Sequence, residues 1–109
     1  MGNEVIDNPA QERYEARVDG ALAGFILYRL DGERITMVHT EVDPDYEGHG
    51  VGSELAKVAL ADVRERGLEL MPQCPFIADY VRRHPDGYLD LVPESLRATV
   101  LSGGCNETH

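Results

Sequence analysis

The chain has little cysteine, few basic residues and no long apolar run. Two cysteines in 109 residues cannot build a disulfide framework, so we expect a reducing compartment. The apolar runs are far too short to span a bilayer, and the acidic N-terminus lacks the apolar stretch of a signal peptide. These absences predict a cytoplasmic protein with no membrane partner.

Positive charge is scarce because 20 acidic residues face only 10 lysines and arginines, which gives a formal net charge of −10. Such a surface repels nucleic acid and anionic lipid, so neither is an expected partner. It favours a cationic small molecule or a basic peptide, although the charge also serves solubility alone. The oligomeric state does not follow from the composition.

Internal repeats and low-complexity segments are also missing, and a chain of this length forms one domain. We expect a flexible lead-in over residues 1–10, a folded domain over 11–92 and a C-terminal helix and tail over 93–109. The second cysteine, Cys105, belongs to that tail.

Apolar patterning predicts four strands. Residues 13–18 alternate apolar and charged side chains, as a half-buried edge strand does. Residues 21–30 are apolar on both faces, which is typical of a central strand covered on both sides. Further strands are predicted over 34–42 and 68–71, and the Asp-Gly pairs after the first two strands predict tight hairpin turns.

Helical spacing predicts a long helix over 51–66, a second over 76–84 and a weaker third over 93–101. The fold class is therefore α/β: an antiparallel three-strand meander followed by a β-α-β crossover and a C-terminal helix. The right-handed crossover would set the fourth strand parallel to the third. Ligands of such units gather at the carboxyl ends of the strands, where the helix begins.

Three glycines, Gly48, Gly50 and Gly52, stand at that position. Glycine lets the backbone approach a bound group, and a helix start offers unpaired N–H donors with a partial positive charge. This combination favours a pyrophosphate, although a glycine-rich turn without a ligand remains the alternative. Neither the nucleotide P-loop nor the G-x-G-x-x-G fingerprint is present.

The segment Glu47-Gly48-His49-Gly50-Val51-Gly52 resembles the coenzyme A-binding motif of the GNAT superfamily of N-acetyltransferases, Arg/Gln-x-x-Gly-x-Gly/Ala. Glu47 departs from that pattern. The sequence HTEV at 39–42, Pro72-Gln73-Cys74-Pro75-Phe76, and a tyrosine-containing helix that ends in His-Pro resemble a small single-domain subfamily. The resemblance covers roughly residues 11–92 and implies a compact GNAT-like fold. It also implies transfer of an acetyl group from acetyl-CoA to an amine on a small molecule or protein.

The resemblance further implies where coenzyme A binds. The strand before the loop, the loop itself and the helix start are expected to hold the pantetheine and diphosphate, through Thr40, Glu41, Val42, Gly48, His49, Gly50, Val51, Gly52 and Ser53. Full members of the superfamily place a helix pair between their first two strands, where this chain has only Asp19-Gly20. The side that receives the acceptor is therefore expected to be open.

Cys74 is a candidate for the chemistry. Proline is favoured at the first helical position, so Pro75 makes Cys74 the predicted N-cap of the second helix. A thiol there faces the N–H groups of the helix, which favours the thiolate. Cys74 is then either a nucleophile that takes the acetyl group, a wall of the acyl pocket, or a buried side chain without a role.

His39 and Tyr80 complete the candidate catalytic set. His39 is a candidate base, with Glu41 as an alternative, and strand alternation predicts both on the face that carries Ile35 and Met37. Tyr80 is a candidate acid, because superfamily members often place a tyrosine on this helix. Purely structural roles stay open for His39 and Tyr80.

Two alternatives to this enzyme remain. The departure at Glu47 and the open acceptor side also suit a non-catalytic acyl-CoA-binding module, and a pure protein-interaction domain would bind no coenzyme A. The histidines, cysteines and acidic residues lack the close spacing of a zinc site, so no metal is predicted.

Overall fold

The computed structural model describes residues 3–46, 48 and 50–101. Its five strands form one sheet in the order β1-β2-β3-β4-β5. The strands are β1 (Asn3–Asn8), β2 (Arg13–Val18), β3 (Ala21–Asp31), β4 (Arg34–Val42) and β5 (Glu69–Pro72). The helices are α1 (Val51–Glu65), α2 (Pro75–Arg83), α3 (Pro85–Tyr88) and α4 (Glu94–Leu101), with short 3-10 turns at Pro9–Gln11, Pro44–Tyr46 and Leu89–Leu91.

The topology confirms the predicted α/β fold. β2, β3 and β4 form an antiparallel meander, and β5 pairs parallel to β4 after the α1 crossover. A parallel neighbour requires a long connection, and α1 provides it. The predicted helix and strand positions agree with the observed bounds to within a residue or two.

The first strand was not predicted. The expectation of an unordered lead-in is wrong for residues 3–8, which pair antiparallel with β2 along its whole length. The phenol of Tyr28 also reaches across the sheet and donates a hydrogen bond of 2.6 Å to Asp7. β2 is therefore an inner strand, and the first connection of the sheet is the 3-10 turn Pro9–Gln11 rather than Asp19-Gly20.

The core lies between the sheet and α1. Leu55, Ala59 and Leu60 on the helix are fully buried, as are Ile26 and Ile35 on the sheet. The predicted apolar stripe of α1 is thus its packing face. α2 extends this layer over β4 and β5 through its buried residues Ile77 and Val81.

The opposite sheet face, which we call the open face, is only partly covered. On β3 the side chains of Ile26 and Tyr28 are buried against the core, whereas Phe25 and Leu27 on the open face are half-buried. The prediction that this strand is covered on both sides is therefore wrong for its open face. Within the described residues no helix is long and apolar enough to cross a membrane.

Candidate functional site

A gap opens between β4 and β5 in the middle of β4. The parallel pairing runs from Arg34 with Glu69 to Met37 with Pro72 and stops there. On its other edge β4 stays paired with β3 as far as Val42. Over the described residues, the β5-facing main chain beyond Met37 therefore lacks a neighbouring strand, and its N–H and C=O groups can pair with a ligand instead.

A β-bulge lies at the start of this gap. Tyr28 is opposite Met37 and Leu27 is opposite His39, so Val38 is an extra residue in β4. The extra residue reverses the alternation of the side chains. Thr40, opposite the buried Ile26, faces the core like Met37, whereas His39 lies on the open face.

The bulge overturns the predicted orientation of two candidates. His39 and Glu41 do not share a face with Ile35 and Met37; they lie on the open face, opposite Leu27 and Phe25. Their side chains are 56% and 63% exposed, and His39 Nε2 lies 3.3 Å from Glu41 Oε1. The pair is thus accessible from solvent on the open face.

The glycine loop leads into α1 with left-handed backbone. Gly48 and Gly50 have φ values of +85° and +76°, which side chains with a Cβ atom rarely adopt. Gly50 is the N-cap of α1, and no side chain among the described residues caps the helix there. The first N–H groups of α1 are therefore available for an anion. Glu47 and the predicted ligand His49 lie outside the described residues.

The second helix starts as its sequence predicts. Cys74 is the N-cap and Pro75 the first helical residue of α2. The Cys74 main-chain N–H donates a hydrogen bond of 2.8 Å to the carbonyl of Met37, which ties the helix start to β4. The thiol is buried, at 3% exposure of the residue, and donates to Thr40 Oγ1 at 3.2 Å. Cys74 and Thr40 thus meet across the gap.

The two helix starts adjoin each other. A Cβ atom on Gly52 would lie 3.0 Å from Cζ of Phe76, so the glycine permits the ring of α2 to pack on the first turn of α1. An open cleft of about 290 Å³ lies at this junction, lined by Val42, Tyr46, Gly48, Gly50, Val51, Gly52, Ser53 and Phe76. Two positive helix ends beside one cleft suit a negatively charged ligand.

Most of the predicted coenzyme ligands therefore gather at one place. Val42, Gly48, Gly50, Val51, Gly52 and Ser53 line the cleft, and Thr40 stands at the adjoining gap. The sequence reasoning did not assign Tyr46 and Phe76 to the site. Phe76 belonged to a recognised motif, but its exposed position beside Gly52 depends on how the two helices meet.

Tyr80 lies further along α2 in an aromatic cluster. Its ring centroid is 4.5 Å from that of His84 and 5.6 Å from that of Tyr88. Burial raises the pKa of the Tyr80 phenol, and Tyr88 and Glu54 raise it further, so the group holds its proton. Among the described residues Tyr80 shares no hydrogen bond with Cys74 or His39. In the same part of the chain, no three His, Cys, Asp or Glu residues are placed to hold a metal.

Comparison with known proteins gives a family for this chain. The model of the family described as GCN5-related N-acetyl-transferase matches residues 13–91. No curated protein matches.

The solved structures that are similar to this chain include two acetyltransferases. A ribosomal-protein-alanine N-acetyltransferase from Brucella melitensis biovar Abortus 2308 is 25% identical, with a TM-score of 0.52 over 74% of this chain and 61% of its own. A nourseothricin acetyltransferase is 40% identical over 53% of this chain and 36% of its own, with a TM-score of 0.45. The chain thus spans less than two thirds of either protein.

Proposed function

Because the chain belongs to the GCN5-related N-acetyltransferase family, we propose that it transfers an acetyl group from acetyl-CoA to an amine. The observation that carries this proposal is the cleft where α1 and α2 begin, next to the unpaired edge of β4. An anion site beside a line of free main-chain groups suits the diphosphate and the amide-bearing pantetheine arm of coenzyme A.

Each part of the cleft has its own task in this proposal. The first N–H groups of α1, from Val51 to Ser53, bind the diphosphate, and Gly48 and Gly50 let it approach the backbone. The main chain of Thr40 to Val42 pairs with the pantetheine amides. This path leads the thioester into the gap that Cys74 and Thr40 flank.

Cys74 is assigned to the wall of this gap. The hydrogen-bond partner of its thiol is the Thr40 hydroxyl, and His39 and Glu41 face the other side of the sheet, so neither candidate base is placed to activate the thiol. This arrangement favours direct attack by the amine. A C–N bond then forms, the C–S bond of the thioester breaks, and coenzyme A leaves as its thiolate.

The His39–Glu41 pair is assigned as the acceptor of the amine proton. It lies on the open face, on the same segment of β4 as Thr40, and both side chains are exposed. A carboxylate 3.3 Å from the imidazole orients the ring toward the incoming amine. The role of Tyr80 as an acid for the leaving thiolate stays a prediction.

The acceptor is proposed to be an amine carried by a protein. The chain connects β1 and β2 through a single 3-10 turn, and His39 and Glu41 on the open face are 56% and 63% exposed, so the described residues form no wall around them for a small acceptor. The similar ribosomal-protein-alanine enzyme is named for an acceptor of this kind. The net charge of −10 favours an acceptor whose surroundings are basic.

The test measures coenzyme A binding by calorimetry in the wild type and in Gly52→Val. The valine side chain would project toward Phe76 and crowd the cleft, while the 39% exposed ring can turn away and spare the fold. Binding should be abolished, with the melting temperature little changed. Gly87→Val is the matched control, because a Cβ there meets no atom within 4 Å and Gly87 lies outside the cleft.

Two outcomes would contradict the proposal. If Gly52→Val binds coenzyme A as tightly as the wild type does, the diphosphate does not bind at the start of α1. Binding without transfer to any peptide or small amine identifies a non-catalytic acyl-CoA-binding module, and absence of binding by the wild type leaves an interaction domain.

A further inference from the structure

A second cavity lies on the open face, between the sheet and α4. Its volume is about 260 Å³, and it is lined by Thr36, Met71, Pro72, Gln73, Leu96, Thr99 and Val100. Thr36 and Met71 are opposite each other in the register, next to Ile35 and Leu70, which are fully buried in the core. Alternation therefore places Thr36 and Met71 on the open face, where α4 covers them.

This cavity and the coenzyme cleft lie at two ends of the same gap. Pro72 is the last residue of β5 that pairs with β4, and both Pro72 and Gln73 line the cavity. Cys74 follows directly and meets Thr40 across the gap, and Phe76 lines the cleft beyond. A group that enters the gap from the cleft and passes these two small side chains would meet Pro72 and Gln73, which line the cavity.

The lining selects an uncharged, largely apolar ligand. Met71, Pro72, Leu96 and Val100 supply most of the wall, and the polar members are two threonines and a glutamine. None of the described residues that line the cavity is charged, although 28% of the chain is charged. An ammonium group would find no counter-charge among them. At about 30 Å³ for each water-sized group, the space holds several times the heavy atoms of an acetyl group.

We propose that this cavity binds the alkyl chain of an acyl group longer than acetyl, so that the donor is a short- to medium-chain acyl-CoA. The inference rests on the proposed function, since it takes coenzyme A into the gap. Bonds made and broken are those of the acetyl transfer; only the chain on the carbonyl carbon differs. Each methylene that enters an apolar site strengthens binding about fourfold.

The experiment titrates the whole chain with CoA, acetyl-CoA, butyryl-CoA and hexanoyl-CoA by calorimetry. We expect the Kd of butyryl-CoA to be about fifteenfold below that of acetyl-CoA, from two further methylenes, and the Kd of hexanoyl-CoA to be lower again. Leu96→Phe fills the cavity and should bring the butyryl and acetyl values within twofold of each other, with the Kd of CoA unchanged. Leu101→Phe is the matched control, because Leu101 lies on the same helix, is 47% exposed and is not in the lining.

A second variant, Thr36→Phe, fills the cavity from the sheet and keeps the test valid if Leu96→Phe fails to fold. Equal affinities for acetyl-CoA and hexanoyl-CoA in the wild type would overturn the assignment, as would a preference for longer chains that survives both variants. In either case coenzyme A still binds, so the proposed function stands. Loss of binding to every ligand, CoA included, contradicts the proposed function and this inference with it.

Discussion

Glu15 is a carboxylate that the sheet keeps almost entirely out of water, at 1% exposure. It accepts hydrogen bonds from Arg17 at 2.8 Å, Arg13 at 2.7 Å and Asn8 at 3.0 Å. These donors, Arg17 first, lower the pKa of Glu15 to about 2, against the opposing effect of burial. The cluster joins β1 and β2 on the open face, where apolar cover is thin.

We expect Glu15→Gln to lower the free energy of unfolding by about 2 kcal/mol at pH 7, since it leaves charged donors without a charged acceptor. A carboxyl group with a lowered pKa stabilises the fold above its unfolded pKa of about 4.3 and loses that contribution as the pH falls toward 2. Urea unfolding at pH 7 and pH 3 measures the difference, which should shrink at the lower pH. An effect as small as that of the exposed Glu65→Gln would contradict this account.

Substitution of Cys74 distinguishes direct acetyl transfer from transfer through an acyl-enzyme. With Cys74 in the wall of the gap, Cys74→Ala should keep turnover within about tenfold of the wild type, and intact mass should show no acetyl adduct at this thiol. The matched control is Cys105→Ala, the other cysteine of the chain. A loss above a thousandfold in folded Cys74→Ala, with a wild-type adduct that this substitution removes, would establish the covalent route.

At the scale of single residues, the sequence correctly predicts the N-cap position of Cys74 but predicts the wrong sheet face for His39. Pro75 fixes a helix start through its own backbone, so the N-cap was predictable from two neighbouring residues. The side of the sheet that His39 occupies depends on the bulge at Val38. No glycine or proline marks that bulge in the strand, so local sequence gave no signal for it.

Two tyrosines tie separate elements to the centre of the sheet. Tyr14 donates a hydrogen bond of 2.6 Å to Asp62 on α1, and Tyr28 donates one of 2.6 Å to Asp7 on β1. Burial, followed by these carboxylate partners, raises the pKa of both phenols well above the usual range. Arg66 lies between the two carboxylates, 3.0 Å from Asp62 and 3.4 Å from Asp7.

Removal of each hydroxyl should loosen a different element. We expect Tyr28→Phe to cost about 1 kcal/mol and to speed hydrogen exchange of the β1 amides. Tyr14→Phe should cost a similar amount and act on the last turn of α1 instead. Exchange measured by mass spectrometry on both variants checks this, and equal protection of β1 in Tyr28→Phe and the wild type would show that backbone pairing alone holds the strand.

Element positions were largely predictable and their partners less so. The stripe of apolar residues on α1 predicts both the helix and its packing face. No such pattern marks β1, because Asn3–Asn8 mixes charged and apolar residues, and none of the side chains described there is fully buried. Its stability comes from pairing with a strand further along the chain, and a short edge segment carries little local trace of such a partner.

The molecule as a whole is acidic, but its cleft lies at the starts of α1 and α2, where the helix ends carry a partial positive charge. In the proposed function, the net charge of −10 would repel coenzyme A, which is itself anionic, while the starts of α1 and α2 would attract its diphosphate at short range. Salt screens the long-range repulsion first, since the Debye length falls from about 30 Å at 0.01 M to about 8 Å at 0.15 M.

The association rate of coenzyme A should therefore rise several-fold between these two salt concentrations, in contrast to the usual decrease for oppositely charged partners. Stopped-flow measurement of binding gives the rate directly. Dephosphorylated coenzyme A, which carries less charge, is the comparison and should show a weaker dependence. A rate that falls with salt would mean that the local field of the helix starts dominates even at long range.

The single 3-10 turn between β1 and β2 limits how far the chain itself can exclude solvent and select its acceptor. In the proposed reaction, bulk solvent would reach the exposed His39 and Glu41 on the open face, so hydrolysis would compete with transfer whenever acetyl-CoA is bound without an acceptor. The incoming acceptor has to act as its own lid, displacing solvent as it docks. Such an enzyme would lose little acetyl-CoA to hydrolysis only when donor and acceptor bind together. Its selectivity among amines would depend on the residues around the acceptor amine more than on residues of the enzyme.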